Sequence, residues 1–183
     1  MLTARKLRGE NIAEYLLYMW QVEDMLRAAH FEISVVRSAI IDAYPVGEAE
    51  KAEMEKWYSE LIDMMRIEGV MEKGHLQINR NVLIQLTDLH LQLLASTKYP
   101  EYGAEFYRTL PFIVELRAKS GEEKAGELET CFNALYGVLM MRLQGREISE
   151  DTQKAMKQIS RFVAMLASFF RKDKEKPLFE KED

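Results

Sequence analysis

Glu23 and Arg27 stand four residues apart on a segment whose other inward positions are Ile12, Leu16, Met19, Trp20 and Leu26. An isolated charge on an apolar helix face is costly to bury, so both groups must pair, reach water or line a cavity. The i,i+4 spacing, with the acid ahead of the cation, favours a salt bridge between them. Two readings follow: a buried ion pair that holds structure, with the Arg27 stem packed and its head reaching outward, or a charged ligand or catalytic pocket. The structural reading is the preferred one. His30 continues the same line if the helix extends that far, which makes it a candidate buried polar group. Glu68 lies among Leu61, Met64 and Met65 and either partners Arg27 or marks a helix end emerging into water, the latter being preferred.

His90, set among Leu83, Leu86 and Leu94, reads as a core histidine whose ring nitrogens find hydrogen-bond partners. Glu72 and His75 have the i,i+3 spacing of a di-iron carboxylate motif, but Gly74 places them in a turn and the second Glu-x-x-His is missing. No metal and no cofactor are expected. Cys131, flanked by Leu128 and Leu135, reads as a small buried hydrophobe. The sequence contains no glycine-rich phosphate loop, His-Glu-x-x-His or Gly-x-Ser-x-Gly.

The elements that carry these residues are helices, and the spacing predicts seven. The first spans about Glu10 to Ala29 and the second about Glu32 to Asp42, ahead of Pro45. The third starts near Glu48 and ends within Gly69–Gly74, Gly74 being the preferred C′ residue. Asn79 is taken as the N-cap of the fourth, which reaches about Ser96. The fifth begins at Pro100 and meets Pro111 in its interior, which predicts a kink or a break with Thr109 capping the second piece. Ser120 to Glu123 reads as a capping box opening a sixth helix that ends near Gly145. Ser149 caps the seventh, which runs to about Arg171. On this last helix Lys154, Lys157, Arg161 and Ser168 oppose Ala155, Ile159, Phe162, Val163, Leu166, Phe169 and Phe170, so it is two-faced and peripheral. The fourth is apolar nearly all round and is expected to be the central, most buried element.

The fold expected is therefore an all-α, single-domain bundle over residues 1–171 around the central helix at about 79–96. A charged tail follows at 172–183 and is expected to add little stability, with Leu178 and Phe179 as its one docking point. Nine glycines and four prolines are too few for an all-β chain, and 48% hydrophobic with 30% charged residues is an ordinary globular balance. A net charge of −5 argues against a nucleic-acid grip, and Arg5, Lys6 and Arg8 are too short a cluster to supply one. One cysteine excludes an internal disulfide. The apolar run at Tyr15–Trp20 is too short for a secretory signal, and no stretch approaches the ~18 apolar residues of a membrane span, so the cytoplasm is the expected location.

The runs Glu10–Asp24, Met64–Asn79, Leu86–Leu94 and Leu110–Gly121 are distinctive in order and spacing. Through them the chain resembles a domain-of-unknown-function family of Bacteroidetes whose members have similar length. The resemblance implies a bacterial, intracellular, helical protein and brings no functional residues with it. Eleven methionines suit irregular core gaps and also an adaptable binding face. The leading expectation is a non-catalytic interaction or scaffold protein with an unknown protein partner or a second copy of itself. The alternative is a small-molecule binder or enzyme using a pocket around Glu23 and Arg27.

Overall fold

A computed structural model describes residues 2–120 and 125–179. Among the described residues eight α-helices follow one another: α1 (Leu2–Glu10), α2 (Ile12–Ala28), α3 (Ile33–Ala39), α4 (Glu48–Ile67), α5 (Gln77–Ala95), α6 (Pro100–Ser120), α7 (Glu127–Leu143) and α8 (Glu150–Glu175). A 3-10 turn, Ile41–Ala43, follows α3. The protein is all-α and forms one domain, with no strand among the described residues.

The expected first helix is two. Asn11 interrupts it: its side chain accepts from the backbone N–H of Ala13 and Glu14 and donates to the Glu14 carboxylate at 2.9 Å, a capped start for α2. Gly9 and the cluster Arg5, Lys6, Arg8 consequently lie within the short α1. At its far end α2 closes in a Schellman turn, with His30 N–H on the Arg27 carbonyl and Phe31 N–H on that of Leu26. His30 takes the left-handed conformation (φ 52°) and is exposed, so it is not a buried polar group.

α4 ends the same way, but at Gly69 rather than at Gly74. Gly69 N–H bonds the Arg66 carbonyl, Val70 N–H bonds that of Met65, and the φ of 68° at position 69 suits a residue without Cβ. Asn79 is not an N-cap either. α5 begins two residues earlier, at Gln77, and Asn79 is fully buried in its first turn.

α6 runs unbroken through Pro111. The Thr109 hydroxyl, rather than capping a second piece, donates back to the Glu105 carbonyl at 2.8 Å. Ser120 closes α6, and the rest of the expected capping box, Gly121–Glu123, lies outside the described residues. Ser149 caps α8 as expected, through the Thr152 N–H. That helix continues past Arg171 to Glu175, and beyond it Leu178 and Phe179 pack on the core, with the Phe179 ring 5.9 Å from that of Tyr99.

α5 packs against α2, α6, α7 and α8, and its Leu86 and Leu93 are buried. It is not the most buried helix, however. Its outer apolar residues Ile84 and Leu91 are more than half exposed, whereas α2 buries nine residues and α8 eight. The expected inner face of α8 is buried save for half-buried Phe170. His90 sits in an aromatic cage of Tyr102, Phe106 and Phe162, its Nδ1 2.6 Å from the Tyr102 hydroxyl. Burial holds that imidazole well below its ordinary range, at about 4, and pushes the Cys131 thiol up to about 12.

Candidate functional site

The carboxylate of Glu23 is fully buried, yet it does not pair with Arg27. Its Oε1 accepts from the backbone N–H of Leu76 at 2.9 Å and from Asn79 Nδ2 at 2.6 Å. Its Oε2 lies 2.6 Å from Nδ1 of His75. Local spacing favours the i,i+4 cation, but the α4–α5 loop and the first turn of α5 fold back over α2 and together supply three donors that are better placed.

Arg27 turns to the same loop from the other side. Its Nη1 meets Asp24 at 2.7 Å, Nε donates to the Met71 carbonyl at 3.2 Å, and Nη2 donates to the carbonyls of Val70 (2.9 Å) and Gly74 (2.5 Å). A planar fork of five N–H groups is the side chain suited to gathering so many oxygens at once. Asp24 in turn accepts from the Tyr136 hydroxyl at 2.6 Å, which ties α7 to the cluster. Burial, and then the Asp24 carboxylate beside it, push the Tyr136 phenol up.

Glu68 is exposed and accepts from the Gln77 N–H at 2.6 Å, so it neither pairs with Arg27 nor enters the cavity. The N-cap residue of α5 is Leu76, which has no side-chain acceptor to offer. Two remote carboxylates, Glu23 and Glu68, therefore take the first two N–H groups that the helix leaves unpaired, at its positive end.

This loop positions His75. The imidazole lies flat on Trp20, with ring centroids 4.1 Å apart and planes 12° from parallel, while Phe132 and Tyr136 meet Trp20 edge-on. An ionised carboxylate only accepts hydrogen bonds, and the two other donors on Glu23 suit that state, so Nδ1 carries the proton. Nε2 has no partner among the described residues, and the side chain is 32% exposed.

The ring opens onto a pocket of about 810 Å³ between α2, the α4–α5 loop, α5 and α7, within the size range of small-molecule sites. Trp20, Asp24, Arg27, Asn79, Asn133 and Tyr136 form much of its wall. Glu72, Lys73, Arg80 and Glu129 bring two charges of each sign to the same wall, all four residues exposed. Gly137 also lines the pocket, and a Cβ built there meets nothing within 4 Å. Among the described residues two buried side-chain polar atoms lack a partner, Trp20 Nε1 and Asn79 Oδ1, and both belong to residues of this wall.

Sequence reasoning reaches Glu23 and Arg27 and passes over the residue they position. His75 reads as a turn residue beside Gly74, and its only sequence signal is the incomplete Glu-x-x-His pattern. No group of three or more His, Cys, Asp or Glu side chains is placed to hold a metal ion among the described residues. No helix among them is long and apolar enough to cross a membrane.

Fold and site together define an all-helical domain with a polar, histidine-bearing pocket. The chain belongs to the family described as a domain of unknown function, DUF4924, whose model matches residues 1–177. No curated protein and no solved structure matches it.

Proposed function

We propose that this protein binds a small polar molecule in the pocket at His75, and that His75 Nε2 is the group that accepts a hydrogen bond or a proton from it. One observation supports the reading: a fully buried carboxylate holds Nδ1 of an imidazole that lines the pocket, and Nε2 has no partner among the described residues. A carboxylate behind a histidine orients the ring and stabilises it when it takes up a proton, which is the arrangement a general base needs. Arg27, Asp24 and Tyr136 brace the walls and are positioning residues in this account.

The test uses the open space at Gly137. Gly137→Leu extends a side chain into the pocket, adds helix propensity and starts from a Cβ that meets no neighbour. A polar fragment library screened by ligand-observed NMR should give hits on the wild-type chain that disappear on the folded variant. Hits that survive Gly137→Leu would place the binding elsewhere, and a library without hits would remove the pocket reading.

A second reading, docking of a partner, is favoured by a stripe on α6. Ala104, Tyr107, Pro111, Val114 and Ala118 recur at alternating three- and four-residue steps, and all are exposed. This is the spacing of a helix–helix seam. The methionines do not contribute, since all ten that are described are buried or half-buried. Arg108 and Glu115 flank the stripe, so a second copy running antiparallel would set each against the other's opposite charge. Sedimentation of wild-type against Tyr107→Glu tests it: a concentration-dependent dimer that the variant loses supports self-association, and a monomer in both refutes it. A buried, reduced Cys131 suits the cytoplasm as the site of action.

A further inference from the structure

We infer that a second pocket, between α7 and α8, binds a small organic anion with a short apolar body, a short-chain carboxylate being the simplest. It is separate from the His75 pocket and does not depend on that reading.

This pocket has a volume of about 230 Å³ and takes its walls from the two helices. Leu135, Val138, Leu139 and Arg142 recur at the spacing of one face of α7, and Met156, Lys157 and Ser160 share one face of α8. Val138 and Met156 are buried and the two leucines half-buried, so the inner wall is apolar. Arg142, Lys157 and Ser160 line the same space and are exposed.

The charge of this lining runs against that of the chain. Asp and Glu number 30 against 25 Lys and Arg in the sequence, yet two cations and no acid line the pocket. Neither Arg142 nor Lys157 makes an ion pair among the described residues. On α6, by contrast, Arg108, Arg117 and Lys119 each do. Arg142 lies in the last turn of α7, where a cation also complements the helix dipole. Lys157 stands in the middle of α8, beyond that effect.

A guanidinium and an ammonium attract a carboxylate, and the Ser160 hydroxyl can donate to it. The apolar wall gives a bare ion nothing but takes up methylenes, each worth about threefold in affinity. An amine would meet like charges here, and a neutral amide would forgo both cations. The volume limits the body to a few carbons, since sites for drug-sized ligands are larger.

Hexanoate, hexanamide, hexylamine and acetate are titrated into the ¹⁵N-labelled full chain at low salt, where exposed charges are least screened. Amide shifts of α7 and α8 report the binding. Hexanoate should bind at least about tenfold tighter than acetate or hexylamine, and about threefold or more tighter than hexanamide. The double variant Arg142→Gln, Lys157→Gln changes two exposed, unpaired side chains and should weaken hexanoate about tenfold. Ser160→Leu fills the pocket and should abolish binding, whereas Gly137→Leu, which fills the His75 pocket, should leave it unchanged. Hexanoate that does not bind, or that binds no tighter than acetate or hexylamine, overturns the inference. So does affinity retained in full by the double variant. Binding lost in Gly137→Leu but kept in Ser160→Leu moves the ligand to the His75 pocket, which overturns this inference and supports the other reading.

Discussion

Glu23 and His75, 52 residues apart in the chain, meet at 2.6 Å in a contact that orients the imidazole and anchors the α4–α5 loop on α2. The same carboxylate holds the first turn of α5 through Leu76 and Asn79. Replacing Glu23 by Leu strands three donors in or near the interior and should cost about 3 kcal/mol or more in urea unfolding. Glu23→Gln keeps one acceptor and should lose roughly half as much. Equal, small losses in both variants would mean that the carboxylate is not the anchor.

Arg27 acts through its fork rather than its charge. Arg27→Lys keeps the cation beside Asp24 but cannot reach the carbonyls of Val70, Met71 and Gly74 together. We expect Arg27→Lys to lose about 1–2 kcal/mol of unfolding free energy. The coupling to Asp24, a half-exposed partner, should be below about 1 kcal/mol in a double-mutant cycle. Full retention of stability by the lysine variant would show that ion pairing alone matters.

His90 makes stability depend on pH. Burial lowers the folded-state value to about 4, against about 6.5 for a free imidazole. Between these values the unfolded chain takes up a proton that the folded chain does not, so stability falls as pH drops from about 6.5 to 4 and this contribution is constant outside that window. At about 1.4 kcal/mol for each pH unit the loss reaches about 3 kcal/mol. Urea titrations at several pH values should show this slope, and His90→Leu with Tyr102→Phe should flatten it. The tyrosine change avoids leaving a buried phenol without its partner. An unchanged slope would assign the acid sensitivity to other groups.

Residues 172–179 are integrated into the fold. Truncation after Arg171 removes the last turn of α8 together with Leu178 and the Phe179 ring on Tyr99. The half-buried apolar area involved predicts a loss of about 1–2 kcal/mol, with Phe179→Ala accounting for much of it. Thermal unfolding of the truncated chain within error of wild type would contradict this.

How far the sequence foretells this arrangement varies by residue. The helices are legible because apolar spacing and caps such as Ser149 are local signals. So is the anomaly at Glu23 and Arg27, since a charge on an apolar face is visible without any partner. Their partners are not legible. The α4–α5 loop reaches both residues across more than 40 positions, and no local spacing encodes that return. Asn79 misleads because a buried amide and an N-cap look alike in sequence. Asn11 carries a local signal that is easily missed: Asn with Glu three residues later is a capping pattern, masked by apolar periodicity that continues across it. The outward Ile84 and Leu91 show the opposite limit, for an apolar helix side need not be covered.

The most direct test of the account is the tautomer of His75, read from the ¹⁵N chemical shifts of its ring in the selectively labelled protein at pH 8. The account predicts a protonated Nδ1 held by Glu23 and an unprotonated Nε2 whose shift moves when a pocket ligand is added, and does not move in Gly137→Leu. An Nε2–H tautomer, or a ring indistinguishable from exposed His30, would contradict it.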